Sequence, residues 1–236
     1  MVAETWDGYL NDINGFHVKP PDVFHALNTA AAGPVAEGNV GGGTGMVCNQ
    51  FKGGTGTASR RLSDKDGGYT VGVLLQCKYG KQDQLRIAGI NVGRDLPPGI
   101  PGEKDQGSII VVVATDSPLL PHQLKRIARR VPLGLGRDGS YSGNGSGDIF
   151  LAFSTANSEA WDPKDVKRVT MLPNDALEPL FLATVQAVEE AVINAMIAAE
   201  TMVGINDHKV LAIPHDQLRA VLKKYNRLVS PAQQRP

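Results

Sequence analysis

Apolar residues in this chain recur at two spacings, and the spacing marks the elements. Residues 69–79 (YTVGVLLQCKY), 85–93 (LRIAGINVG) and the run opening at Ser108 (SIIVVVAT) carry the Val, Leu and Ile density of buried strands. Residues 46–51 (MVCNQF) and 148–155 (DIFLAFST) read the same way. Helical spacing appears within 121–130, where Leu124, Ile127 and Ala128 share a face. It appears again in a long helix predicted from Asn174 or Asp175 to about Met202, through Val188, Ala191, Val192, Ala195, Met196 and Ala199. A short helix is predicted from Val23, with Asp22 near its N-cap and Gly33 at its stop, and a last one from Asp216 to Tyr225. Residues 4–14 have no settled period and carry Asp-Gly and Asn-Gly turn signals. Residues 94–106 read as an exposed loop, and 230–236 as a loose tail. Strands and helices mix without regular βαβ alternation, which predicts layered α+β packing with helices covering sheets.

Composition narrows the function classes. The 236 residues fit one large domain or two small ones, and the expectation is a single domain over 1–236. Formal net charge is zero, so the surplus of Lys and Arg that a nucleic-acid partner requires is absent. The only dense basic cluster, 125–130 (KRIARR), falls in a predicted helix and reads as its solvated face. The long apolar helix carries Glu189, Glu190, Asn194 and Glu200, which argues against a membrane span. No basic n-region and apolar h-region open the chain. Cys48 and Cys77 form neither a CxxC pair nor a disulfide framework, so a reducing cytoplasm is the expected location.

Few motifs carry chemistry. Gly41, Gly43 and Gly45 give G-x-G-x-G, not the dinucleotide pattern, and no Gly-Lys-Ser/Thr follows. Tight turns and close sheet packing around a pocket are the better reading of the glycines in 38–45 and 53–56. The histidines, His17, His25, His122, His208 and His215, show no metal spacing, so no metal is expected. No G-x-S-x-G elbow is present.

Gly107-Ser108 stands where a polar loop (DQG) becomes the most apolar strand of the chain. An ordinary strand start explains it on pattern alone. The other reading is self-cleavage: Ser108 Oγ attacks the Gly107 carbonyl, the peptide C–N bond breaks as an ester forms, and water hydrolyses the ester. Glycine before the nucleophile offers no Cβ to block attack. The new α-amine has an unperturbed pKa of roughly 7.7–8.0. It can serve as general base for its own hydroxyl, so no histidine is required. The apolar strand behind Ser108 would hold it rigidly.

Several stretches together resemble one family: VAET (2–5), LNDI (10–13), GNVGGGTGM (38–46), FKGGTGTASR (51–60), YTVGVLLQ (69–76), GSIIVVVATDSPLLPHQLKRIARR (107–130), GNGSGDIFLAFSTAN (143–157) and the PNDAL helix region (173–201). They are similar to the DmpA/BapA aminopeptidases (peptidase family P1), which include L-aminopeptidase/D-esterases and β-peptidyl aminopeptidases. The resemblance implies an αββα sandwich of the DmpA/ornithine-acetyltransferase type. It implies a precursor that cuts itself between Gly107 and Ser108 into an α-chain part, 1–107, and a β-chain part, 108–236. Ser108 would be the nucleophile and its amine the base. Substrates would be short peptides, amino-acid amides or esters, handled without metal or organic cofactor by a cytoplasmic homo-oligomer of cleaved units. Ser146 and Asp148 match the hydroxyl and carboxylate that orient the nucleophile's amine, and Glu4 matches the acidic residue that holds the substrate's free amino group. The related ornithine acetyltransferases use threonine, so Ser108 argues against acetyl transfer.

Three departures qualify the resemblance. Trp6 stands where a tyrosine is expected, keeping the aromatic surface for substrate but losing the hydroxyl. Lys78 stands where an oxyanion-stabilising asparagine is expected, offering a cationic donor on a longer stem. Family precursors also carry a segment ahead of the stretch that opens here, and without it an exposed sheet edge and an incomplete core are expected. These departures keep a second reading open, a catalytically impaired paralogue acting as a structural or binding subunit.

Overall fold

A computed structural model of the chain describes residues 3–100 and 107–228; the loose tail expected at 230–236, and residues 101–106 of the loop before Gly107, lie outside them. The α+β expectation holds. In chain order the helices are α1 (Pro20–Asn28), α2 (Pro121–Ala128), α3 (Val131–Arg137), α4 (Glu178–Ile197) and α5 (His215–Lys224). The strands are β1 (Val47–Cys48), β2 (Phe51–Lys52), β3 (Thr55–Arg61), β4 (Thr70–Lys78), β5 (Arg86–Ile87), β6 (Ile90–Asn91), β7 (Ser108–Thr115), β8 (Ile149–Ser154), β9 (Met202–Val203) and β10 (Lys209–Val210).

The central sheet has the order β3-β4-β7-β8, with β3, β4 and β7 antiparallel and β8 parallel to β7. Side chains alternate across it. Val71, Val73, Leu75 and Cys77 of β4, with Ile109, Val111 and Val113 of β7, are buried beneath the helices. The intervening Leu74, Val112 and Ala114 belong to the opposite face. With Phe153, Ala58 and Val35 they line an open apolar groove of about 610 Å³. The run IIVVV reads as buried on both faces because it does not alternate. Within the described residues only one face is closed, and one helix-covered half of the expected αββα sandwich is present.

Helix α4 closes that face. Ala187, Ala191 and Ala195 recur every fourth residue and let its backbone approach the sheet. The approach is tightest at Gly56 of β3, where a Cβ would lie 2.0 Å from the Ala191 carbonyl oxygen and 2.7 Å from Ala195 Cβ. Asn194 Nδ2 also donates to the Thr57 carbonyl at 2.8 Å. Residues 174–197 are long and apolar enough to cross a membrane, and more than half of that window is packed inside the protein. Gly56→Ala is expected to cost about 1–3 kcal/mol by overpacking this contact; urea unfolding measures it, and an unchanged midpoint would contradict the close approach.

Several boundaries differ from the pattern reading. Residues 46–51 form a hairpin, not one strand, because Asn49 and Gln50 turn the chain at φ 49° and 65°. Residues 85–93 likewise fold as the β5–β6 hairpin through Ala88 and Gly89. Strand β3 is hidden in sequence by Gly56 and by Gly53 and Gly54 just ahead of it, and α3 by Pro132, Gly134 and Gly136. Gly134 has a structural reason, since a Cβ there would meet Val188 at 2.7 Å. Asp22 sits inside the first turn of α1, accepting from Lys19 N at 2.8 Å, and the helix ends at Asn28, ahead of Gly33. Helix α4 stops at Ile197, with β9 following.

One expectation is overturned and another is refined. Cys48 and Cys77 form a disulfide across β1 and β4, with Cα atoms 5.6 Å apart. Pairs of cysteines 29 residues apart carry no spacing signal, so only the fold could reveal it. The basic cluster 125–130, which runs from α2 to the start of α3, keeps Lys125 and Arg129 exposed but is not wholly a solvated face. Arg126 and Arg130 lie over the Phe181 ring, at 5.1 and 3.7 Å from its centroid.

Candidate active site

Ser108 is the first residue of β7, and its position follows from the alternation along that strand. Ile109, Val111 and Val113 point into the core, so Ser108 falls on the opposite face, half-buried at the strand's mouth. It lines a cavity of about 1060 Å³ shared with Glu4, Trp6, Asp7, Gly41 and Thr44. Gly107 is buried against the neighbouring strand. A Cβ there would lie 2.3 Å from Tyr79 Cα and 2.8 Å from the Lys78 carbonyl oxygen, so the position admits only glycine without displacement.

Strand β8 supplies the polar groups. It runs parallel to β7, with Ile149 beside Ile110, which brings the preceding loop, residues 140–148, alongside Ser108. Gly147 N donates to Ser108 Oγ at 3.1 Å. Asp148 accepts three hydrogen bonds: from Ile109 N at 3.3 Å, from Ser142 Oγ at 3.2 Å, and from Ser146 Oγ in a short contact. Ser146 closes a turn just ahead of β8, its N donating to the Gly143 carbonyl at 2.8 Å, and its side chain meets that of Asp148 two residues on. Gly147, between them, brings its amide to the nucleophile, and a Cβ there would lie 3.1 Å from Ser108 Oγ. Ser142 and the Gly147 amide escape sequence reasoning: a backbone donor leaves no residue-type signal, and nothing in the pattern sets Ser142 apart from the other serines of its loop.

Lys78 is directly opposite Ser108 in the β4–β7 register. Directly opposed residues in an antiparallel pair have Cβ atoms about 4.5–5.5 Å apart, so the roots of the two side chains are adjacent. Lys78 is 5% exposed, and its Nζ lies 4.8 Å from the centroid of the Trp6 ring. The two aromatic and cationic departures from the family pattern therefore touch each other. Trp6 is partly exposed on the cavity wall, and Glu4 is exposed at its lining. Tyr79, next in sequence, is buried; its burial, with Asp138 and Asp148 nearby, holds the phenol protonated well above its usual range. Burial likewise pushes the Asp138 carboxyl well up, with Glu189 adding to the shift.

Among the described residues no group of His, Cys, Asp and Glu is arranged to hold a metal ion. What the site assembles is a serine hydroxyl at a loop–strand junction, a carboxylate–hydroxyl pair beside it, a lysine opposite, and a carboxylate-lined cavity in front.

A family model described as Peptidase family S58 matches residues 1–210. The β-peptidyl aminopeptidase BapA of Sphingosinicella microcystinivorans is 52% identical over 246 residues, covering 98% of this chain and 62% of that protein. The solved L-aminopeptidase D-Ala-esterase/amidase of Ochrobactrum anthropi, described as a prototype serine aminopeptidase and a variant of the Ntn-hydrolase fold, aligns with a TM-score of 0.89 at 53% identity. That alignment covers 96% of this chain and 63% of that one. A β-aminopeptidase from a Burkholderia species aligns with a TM-score of 0.84 at 45% identity, over 94% and 63% of the two chains. The chain thus spans less than two thirds of the length of these relatives. With a family model over most of its residues and relatives half identical to it, the chain belongs to peptidase family S58.

Proposed function

We propose that the chain is a self-processing serine aminopeptidase that releases N-terminal residues from short peptides, amino-acid amides or esters. The observation that carries this reading is Ser108 itself. Its hydroxyl receives the Gly147 amide at the mouth of a rigid strand, beside the Ser146–Asp148 pair and open to the cavity lined by Glu4.

Cleavage before Ser108 converts its backbone nitrogen into an α-amine. That amine removes the hydroxyl proton as Ser108 Oγ attacks the substrate carbonyl, and returns it to the leaving amine when the acyl–enzyme ester forms. Water, deprotonated by the same amine, then releases the acid. Ser146 and Asp148 fix the amine's direction and favour its charged form. Glu4 pairs with the substrate's free ammonium, which restricts cleavage to the first residue. Lys78 stabilises the oxyanion. The cleaved units assemble as a homo-oligomer, which light scattering measures.

Mass spectrometry after incubation tests the reading: two fragments divided before Ser108, and turnover of aminoacyl p-nitroanilides, are expected. A single uncut species inert to these substrates would sink it. The same outcome would favour the second reading, a non-catalytic subunit, which the placement of the Lys78 ammonium over Trp6 motivates. Lys78→Met is expected to lower kcat by on the order of 10²–10³ with self-cleavage retained, the usual loss for one oxyanion donor. Unchanged kcat would remove Lys78 from that role.

A further inference from the structure

The two glycine-rich stretches are not absorbed by the chemistry above, and the residue between them is unusual. Lys52, in β2, is fully buried. Its Nζ donates to the Gly43 carbonyl at 3.1 Å and to the Gly53 carbonyl at 2.7 Å. Its backbone N is held by the Leu211 carbonyl at 2.7 Å. A buried ammonium carries a large desolvation cost that an apolar residue of the same length would avoid. Here burial lowers the Lys52 pKa to about 8, opposed by the nearby Asp7 carboxylate.

The carbonyls it joins belong to opposite sides of the cavity's support. Gly43 lies in the turn whose Gly41 and Thr44 line the cavity, and a Cβ on Gly43 would lie 2.2 Å from Thr55 N. Gly53 packs on the Cys77 carbonyl, where a Cβ would lie 2.3 Å away, one residue before Lys78 and the strand end facing Ser108. Asp7 is itself a cavity residue, packed with Asn11 against Gly45. The ammonium therefore ties the substrate-facing wall to the strand that frames the nucleophile, without reaching the cavity.

We propose that Lys52 is a positioning residue for the peptidase reaction, a buried clamp that sets the cavity wall at Gly41–Thr44 against the strand end carrying Lys78. The inference rests on the function proposed above. In Lys52→Met, self-cleavage is expected to proceed as in the parent protein, because Ser108, Gly147 and Asp148 are untouched. KM is expected to rise about tenfold with kcat nearly unchanged, the signature of lost substrate binding. Hydrogen exchange of residues 38–46 is expected to quicken while β7 stays protected. Parent-like KM and exchange, or kcat falling as far as kcat/KM, would overturn the proposal. If the parent protein shows no turnover, the peptidase reading fails, and exchange in the variant still decides whether the clamp exists. If Lys52→Met does not fold, the parent protein carries the test. Raising the pH through about 8 removes the ammonium's charge, with Asp7 the charged group acting on it. Charge-assisted hydrogen bonds are roughly twice as strong as neutral ones. Protection of 38–46, corrected for the intrinsic rate, is then expected to fall above that pH, and unchanged protection would overturn the clamp.

Discussion

Ser108→Ala is expected to leave the chain as one uncut species of 25.1 kDa with no measurable turnover. On the proposed mechanism, self-cleavage and turnover use the same oxygen. Without Oγ nothing attacks the Gly107 carbonyl, so no α-amine is liberated, and no nucleophile is left to accept the substrate's acyl group. In a serine peptidase, loss of the nucleophile alone costs on the order of 10⁶ in kcat. Here the loss is compounded, because the general base is also never made. The fold is expected to survive: Ser108 is half-buried at the strand's mouth and its hydroxyl accepts only the Gly147 amide among the hydrogen bonds described. Intact mass and a thermal melt separate the outcomes. Cleavage before residue 108 in the alanine variant, or turnover within tenfold of the parent, would remove Ser108 from both roles.

The second large effect is expected at Asp148. Its carboxylate accepts from Ile109 N, Ser142 Oγ and Ser146 Oγ at once. Asparagine is nearly the same size but has a single acceptor oxygen, and its amide brings two donors into a site built of donors. The asparagine oxygen can keep the bonds from Ile109 N and Ser146 Oγ, but the Ser142 hydroxyl must turn from donor to acceptor against the new amide, and the negative charge proposed to favour the ammonium of Ser108 is lost. Asp148→Asn is expected to reduce kcat by on the order of 10²–10⁴, the range for removing a group that supports proton transfer. KM and the melting temperature are expected to change little. A variant within a few-fold of the parent in kcat would show that the carboxylate serves the fold of the 140–148 loop and not the reaction.

The sequence carried the helices that repeat an apolar face over several turns, and the strands rich in Val and Ile. Elements interrupted by glycine were not legible. Strand β3 holds Gly56 because α4 presses its backbone there, and α3 holds Gly134 because Val188 does the same. In both cases the residue that weakens the local signal is the one the tertiary contact requires. The Asn49-Gln50 turn was missed for a different reason: left-handed φ at two consecutive non-glycine residues is imposed by the surroundings of the hairpin. The candidate site divides similarly. Gly107-Ser108 is visible as a local pattern and Ser146-x-Asp148 through the family resemblance, but Gly147 N reaches Ser108 from beside another strand, and the partners of Ser142 and Lys52 are set by how their loops close.

By itself the sequence determined an α+β chain and its likeness to the serine aminopeptidases, and it pointed to Ser108 as the nucleophile proposed above. Strand periodicity and short motifs are local properties, and they persist in one dimension. Tertiary structure decided which residues meet. The register of β4 on β7 set Lys78 opposite Ser108, and the arrival of Trp6 placed an aromatic ring against that lysine. The packing of β1, paired with β2, against β4 closed Cys48 on Cys77. The packing of α4 selected one face of the sheet for the core and left Leu74, Val112 and Phe153 lining the other. These are contacts between residues far apart in the chain, set by side-chain alternation and strand order, and no local pattern encodes them.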